Sequence, residues 1–366
     1  MLSMVYNYPM RKIKPNKKIT VALSGGVDSA VSAAILLEQG YDVTGIFMKN
    51  WSGADFSVNS DCPWEQDQQD AEDVCKTLGI PFKSVNFEKQ YRDIVVQYFF
   101  DEYSKGRTPN PDVLCNKEIK FKLFLQYATE SGAELIATGH YARITHDENG
   151  FKLLKGIDNN KDQSYFLHRL NQEQLSKSLF PVGELQKSEV RKLAEKYKLP
   201  NAKKKDSQGI CFIGKIDVQD FLRENIQAKT GDIKDIDTDI TIGKHDGVMF
   251  YTIGQREGIG IGGAGEPYYV VSKDSENNIL YVGKGKDNPA LFNKTVNFED
   301  LHLINTDEFN IENLSASVRY RHQPAKGKID LTKKEFIFNE SQRAITPGQS
   351  IVFYDDDRCL GGAIIS

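Results

Sequence analysis

Three groups of residues in this 366-residue chain have the types and spacing of chemistry. The first is Ser24-Gly25-Gly26-Val27-Asp28-Ser29. Paired glycines let the backbone turn sharply and expose consecutive N–H groups, and Ser24, Asp28 and Ser29 add side-chain hydrogen-bonding groups. At the opening of a helix, such amides and the positive end of the dipole favour a phosphate or pyrophosphate. The Lys-Ser/Thr ending of a Walker A loop is missing, so γ-phosphoryl transfer is not the expected chemistry.

The second group is Thr108-Pro109-Asn110-Pro111-Asp112-Val113-Leu114-Cys115-Asn116. Two prolines hold the segment extended and a helix pattern follows, which puts Cys115 at or beside a helix N-terminus, where a thiol's pKa falls. Asp112, three residues upstream, is placed to act as a general acid or base. The alternative is a small buried Cys115 and a helix-capping Asp112. The third group is Cys211, in the glycine-flanked stretch Asp206-Ser207-Gln208-Gly209-Ile210-Cys211-Phe212-Ile213-Gly214. A cysteine on such a loop can move between an external donor and an internal site, or pack between Ile210 and Phe212.

The elements that must position these groups follow from the hydrophobic pattern. Apolar runs at 19–23, 43–48, 82–85 and 135–138 read as buried strands, and helical spacing covers 30–38, 63–78, 91–103, 116–131 and 187–198. This alternation predicts an α/β fold with a doubly wound parallel sheet and a site at the carboxyl ends of its strands. There the 24–29 loop would meet Gly139-His140-Tyr141, just past the fourth strand. A hairpin is expected over 143–155, around Glu148-Asn149-Gly150. Lys203-Lys204-Lys205 suggests an exposed loop or linker, after which glycine and β-branched residues dominate to about Gly285. Gly258-Ile259-Gly260-Ile261-Gly262-Gly263 has the dinucleotide-binding spacing, but a strand pattern follows it where a helix is required, so no such site is expected. Short alternating runs from about Thr295 predict a small β-barrel. The expected units are 1–203, 204–288 and 289–366.

Composition narrows the function classes. The chain carries a formal net charge of −4, so a polyanion partner has to meet local basic patches. Candidate patches are Lys203 to Lys205, the Arg319-Tyr320-Arg321-His322 run, and Lys326 with Lys328. Five cysteines show no zinc spacing and no disulfide-framework density, which points to a reducing compartment. No apolar run has the length of a membrane span. The basic leader before Ile19 leaves a cytoplasmic location or, if it is a transit peptide, an organellar matrix.

The 24–29 stretch resembles the PP-loop of the ATP pyrophosphatase superfamily, whose members split ATP between the α- and β-phosphates and adenylate an oxygen. Further agreements are Phe47-Met48-Lys49-Asn50-Trp51, Gly106-Arg107 leading into Thr108 to Asp112, and Cys115-Asn116-Lys117-Glu118-Ile119-Lys120-Phe121. They continue through Ala137-Thr138-Gly139-His140-Tyr141-Ala142-Arg143, Lys161-Asp162-Gln163-Ser164-Tyr165, Phe180-Pro181-Val182-Gly183, the Cys211 stretch, Tyr251-Thr252-Ile253-Gly254-Gln255-Arg256 and Pro347-Gly348-Gln349. On these the chain resembles, almost end to end, the tRNA-specific 2-thiouridylases, which thiolate the wobble uridine.

That resemblance implies a PP-loop domain of the adenine nucleotide alpha hydrolase kind, a small central domain and a C-terminal β-barrel. It implies ATP, with Mg2+, at Ala22, Leu23, Ser24, Gly25, Gly26, Val27, Asp28, Ser29, Met48 and Gly139. The target base would meet Asn110, Pro111 and Asp112, with Asp112 in proton transfer, Cys115 as catalytic thiol and Cys211 carrying a persulfide. His140, Lys161, Asp162, Gln163, Arg319, Tyr320 and Gln349 would touch tRNA, with lysine, glutamate and glutamine acceptors expected. A cysteine desulfurase or sulfur-relay protein would supply the persulfide. No dedicated protein metal site and no membrane partner are expected. Two other readings stand beside this one: a PP-loop ligase or amidotransferase, which needs no cysteine pair, and a non-catalytic tRNA-binding module.

Overall fold

The computed structural model describes residues 16–52, 64–206, 218–262, 265–305 and 314–366. Cys62, Cys211 and the 207–217 stretch lie outside the described residues.

The first unit is built on a five-stranded sheet in the order β3-β2-β1-β4-β7. Its strands are β1 (Lys18–Leu23), β2 (Asp42–Lys49), β3 (Phe82–Asn86), β4 (Leu135–Ala137) and β7 (Ser178–Leu179), all parallel. β1 is central, and Ile19, Val21 and Leu23 are buried together with the residues between them. That is the pattern of a strand with helices on both faces. Between β1 and β2 runs α1 (Val27–Glu38), buried along most of its length, and α2 (Trp64–Leu78) precedes β3. β1 lies between β2 and β4, so the strand order reverses beside the loop that follows β1.

Two long helical runs follow β3. The first, α3, passes from Glu88–Tyr91 through a π-helical stretch, Arg92–Val96, into Gln97–Ser104. The second, α4, starts at Pro111–Leu114, continues as a π-helical stretch Cys115–Leu123 and ends with Phe124–Glu130. The start of α4 corrects the expectation that helix begins after Cys115. Pro111 occupies the first helical position, where its fixed φ and missing N–H cost nothing, and Asn110 caps the end by accepting from the Val113 amide at 3.4 Å. Cys115 is therefore one turn inside the helix, and its amide bonds back into that turn. The local lowering of thiol pKa argued from a helix terminus loses its basis there.

The expected hairpin is present as β5 (Ala142–Asp147) and β6 (Gly150–Lys155). It lies within the 1–203 span, yet β6 pairs with β17 (Arg358–Ile365) of the C-terminal barrel. That barrel is a ring of six strands, β12 (Phe292–Leu303), β15 (Glu335–Arg343), β14 (Ala325–Asp330), β13 (Leu314–Ser317), β16 (Ser350–Asp355) and β17, closed by β12 against β17. Phe298, Phe336, Phe338, Ile351 and Phe353 fill its interior. Between the two units lies a four-stranded sheet, order β10-β11-β8-β9, made of β8 (Gly231–Asp235), β9 (Thr241–His245), β10 (Tyr268–Asp274) and β11 (Ile279–Lys284). The glycine-rich 258–262 segment is irregular and leads toward β10, with no helix behind it. Among the described residues, no helix is long and apolar enough to cross a membrane.

Candidate active site

The loop after β1 is organised by its own side chains. Ser29 Oγ accepts from the Ser24 amide at 3.2 Å and donates to the Gly26 carbonyl at 3.2 Å. Gly25 has φ +72, and a side chain there would strike the backbone of Asp67 at the start of α2. From the other side Asn201 donates to the Gly25 carbonyl at 2.9 Å. Gly139, just past β4, crosses directly over the beginning of α1: a Cβ on it would lie 2.6 Å from the Ser29 amide nitrogen. Glycines at 25 and 139 let two neighbouring backbones close on the opening of α1, a helix-end cradle of the kind whose amides suit an anion.

One wall of this cradle was not legible beforehand. Lys187, at the first position of α5 (Lys187–Lys196), puts its ammonium 2.7 and 2.9 Å from the two carboxylate oxygens of Asp28. It also lies 2.8 Å from Asp206. Tyr141 donates its hydroxyl to Asp28 at 2.8 Å. A lysine at a helix's first position opposes the dipole, and that misfit is the one sequence signal that could have exposed it. Asp206 also receives Lys161 at 2.6 Å and Arg191 at 2.7 Å. Burial raises the Asp206 pKa, but hydrogen bonds from Lys161 and Lys187 outweigh it and hold the carboxyl at about 2.

Residues 203–206 form the loop expected there, with Lys203, Lys205 and Asp206 exposed, but the loop is tied down. Lys204 is bonded to Asp67 and Asp70, and Arg191 donates to the carbonyls of Ala202 and Lys204. This segment is fastened to α2 and α5, and Lys204 is committed to carboxylates within the protein.

The thiol end differs in character. Cys115 is fully buried in an apolar cluster that also holds Ala22, Met48, Trp51, Tyr91 and Phe121. Asp112 and Cys115 are three residues apart on α4 and so share a face. Asn110 lines a cleft of about 110 Å³ between α4 and the barrel, with Lys117, Arg169, Gly348 and Ser350. The other two described cysteines, Cys75 and Cys359, are pushed up to about 12 by burial, which keeps them protonated at neutral pH.

Several residues expected at tRNA are engaged inside the protein. His140 is buried against Phe121 and Phe180, with Nδ1 2.7 Å from Thr138 Oγ1, and burial holds its imidazole well below the usual range. Asp162 accepts from the Gly156 and Ser164 amides, and burial raises its carboxyl. Gln163 accepts from the Tyr141 amide at 3.0 Å, so this pair braces the loop that carries Gly139. Arg319, half-buried, donates to the Arg343 carbonyl, and Tyr320 packs on Phe166 at 4.4 Å. Gln349 donates to the Thr108 and Pro109 carbonyls, both at 3.0 Å.

A parallel sheet with an anion cradle after its central strand and a crossing glycine after its neighbour defines a nucleotide-binding α/β protein. Residues 17–215 match the family model described as tRNA methyl transferase HUP domain, 219–284 the tRNA methyl transferase PRC-barrel domain, and 293–365 the aminomethyltransferase beta-barrel domain. The chain is 50% identical over 361 residues to the tRNA-specific 2-thiouridylase MnmA of Bacillus subtilis, covering 97% of this chain and 96% of that protein. It is 51% identical over 355 residues to the MnmA of Staphylococcus saprophyticus, covering 95% of each. The chain belongs to the tRNA-specific 2-thiouridylase family.

Proposed function

We propose that this protein is an ATP-dependent tRNA-uridine 2-sulfurtransferase that converts the wobble uridine, position 34, to 2-thiouridine. The observation that carries the reading is that a chain 50% identical over 361 residues to a tRNA-specific 2-thiouridylase keeps both the Ser24 to Ser29 loop at the opening of α1 and a cysteine, Cys115, on α4. On this reading the loop activates the base as its adenylate and the thiol takes part in delivering sulfur. The methyl transferase wording of the family descriptions fits these residues less well, because methyl transfer has no use for an adenylating loop.

ATP is held by Ser24 to Ser29 with Gly139 over it, and Lys187 can turn from Asp28 toward the pyrophosphate. Asp28, whose carboxylate is held by Lys187 and Tyr141, would be the residue to meet a Mg2+ ion once Lys187 turns away, and such an ion would supply charge neutralisation there. Among the described residues, no cluster of three His, Cys, Asp or Glu side chains stands ready to hold a metal. The flipped uridine enters beside Asn110 and Asp112. Its C2 oxygen attacks the α-phosphorus and pyrophosphate leaves, with Asp112 taking the N3 proton. The Cys115 thiol, released from its packing, attacks the inner sulfur of the Cys211 persulfide, forming a disulfide and releasing hydrosulfide together with the thiol proton. Hydrosulfide adds at C2 and AMP departs with the oxygen. A thiol reductant returns the disulfide to two thiols.

The partners on this reading are tRNAs with lysine, glutamate and glutamine acceptors and a persulfide donor of the cysteine desulfurase or sulfur-relay type, in the cytoplasm. His140, Lys161, Asp162, Gln163, Arg319 and Tyr320 then act at the tRNA surface chiefly by shaping the loops they brace. The test is nucleoside mass analysis of unmodified tRNA after incubation with ATP, a persulfide source and the protein. The expected product is 2-thiouridine with stoichiometric AMP. AMP release without sulfur incorporation would favour another adenylating enzyme.

A further inference from the structure

The Thr108-Pro109-Asn110 segment lies just before α4 and has little regular pairing of its own. Pro109 and Pro111 lack N–H groups, and the Thr108 and Pro109 carbonyls face partners from elsewhere in the chain. Those partners come from the far end of the chain. Gln349 Nε2 has two hydrogens, and two consecutive carbonyls, Thr108 O and Pro109 O, accept from it at 3.0 Å each. The Thr108 amide donates to the Pro347 carbonyl at 2.9 Å. Gly348, at φ +91, lets the turn close onto the segment: a Cβ there would come within 2.9 Å of the Thr108 nitrogen and oxygen.

The turn is itself fixed to the last barrel strand, with the Gly348 amide on the Ile365 carbonyl and the Ile365 amide on the Gln349 carbonyl, each at 2.8 Å. A second tie joins Arg107 to Glu102 on α3 and to Glu299 on β12. A third is the Thr108 and Thr252 hydroxyl pair at 3.4 Å, reaching the central unit. Tyr165, from the first unit, donates its hydroxyl to the Ser350 carbonyl at 2.9 Å and so ties the same stretch of barrel.

We propose that Gln349 is a positioning residue: held in the barrel, its amide fixes the Thr108-Pro109-Asn110 segment and thereby the angle at which α4 presents Asp112 and Cys115. This rests on the sulfurtransferase reading for its consequence in catalysis, and gives the C-terminal barrel a part in the reaction centre beyond RNA contact. Helix α4 runs without a break from Pro111 through Asp112 to Cys115, so a slide of the preceding three residues reaches both side chains. Misplacement by about 1 Å can cost on the order of 10²-fold in rate.

The test uses the full-length protein with Gln349→Met, which keeps volume and removes both donors, and Gln349→Glu, which sets a carboxylate against two carbonyl oxygens. Hydrogen–deuterium exchange of the tRNA-free protein reads the segment directly, and thiolation kinetics read the consequence. The expected result is faster exchange over 108–116 in both variants, with ATP binding retained. It goes with a kcat lower by about 10- to 10²-fold and a KM for tRNA within about threefold. Unchanged exchange with the loss confined to KM would make Gln349 a tRNA contact only, and overturn the proposal. So would faster exchange with an unchanged kcat. If wild-type protein makes no 2-thiouridine the sulfurtransferase reading fails, and the exchange measurement still decides whether Gln349 holds the segment.

Discussion

At the carboxyl end of β1, Ser24, Gly26 and Ser29 bond one another within six residues, and Gly139, Asn201, Tyr141 and Lys187 close from outside on a loop already organised. Around Asp112 and Cys115 the situation is reversed, since the segment before them depends on Pro347 to Gln349, 240 residues away, and on Glu299 and Thr252. The nucleotide end is partly open and lined by charged groups, with Asp28 and Asp206 facing Lys187, Lys161 and Arg191. The thiol itself is sealed in apolar packing. An anion site needs backbone amides and charges, which a short loop supplies. A sulfur-transfer site has to exclude water from a reactive sulfur, and that takes packing from several elements.

Changes at the two ends should therefore separate. Cys115→Ser is expected to lower thiolation by on the order of 10³-fold or more while ATP still binds with wild-type affinity. Nucleoside mass analysis beside equilibrium ATP binding checks this, and a matching loss of ATP binding would show that the two ends are one unit. Lys187→Met should lower kcat/KM for ATP by about 10²-fold and leave KM for tRNA near wild type. Steady-state AMP release with each substrate varied sharpens that contrast.

Gly25→Ala should destabilise the fold by about 1–3 kcal/mol, because φ +72 and the Asp67 backbone both oppose a side chain. Denaturant unfolding measures it, and wild-type stability would mean the loop can relax around a methyl group. The smallest effect concerns acid. His168 is fully buried, burial lowers its pKa to about 3, and its Nδ1 lies 2.7 Å from the Tyr165 carbonyl. The unfolded chain takes up that proton near pH 6.5, so stability is complete above this value and is lost as pH falls toward about 3. Asp206, held at about 2, gives up its contribution only as pH falls from about 4 toward 2. The buried histidines, His168 beside the barrel and His140 beside the Gly139 loop, should thus weaken the fold on acidification before Asp206 does. His168→Asn should flatten the pH dependence of Tm between pH 7 and 5 by roughly 2–4 °C, as followed by calorimetry.

Much of this was readable along the chain wherever the determining contacts are local. The strand-loop-helix of 18–38, the hairpin at 142–155 and the barrel strands follow from apolar period and turn residues, and each forms where expected. The start of α4 was misjudged because Pro111 can end an extended segment or begin a helix, and Asn110, as a cap, decides between them. Lys187 escaped notice because its partners, Asp28 and Asp206, are 159 and 19 residues away. Lys204 looked like a solvated cation because nothing in a sequence says that Asp67 and Asp70 lie opposite it.

By itself the sequence determined the strand, glycine turn and helix opening of residues 18–38, since glycine backbone freedom and helix-end amides are properties of six consecutive residues. Only the tertiary structure decided that Lys187 pairs with Asp28 at the opening of α1 and that Cys115 is buried inside α4. It also decided that the barrel's Gln349 holds the segment between them. Those are contacts between residues far apart in the chain, and their geometry is set by how the sheet, the hairpin and the barrel close on one another.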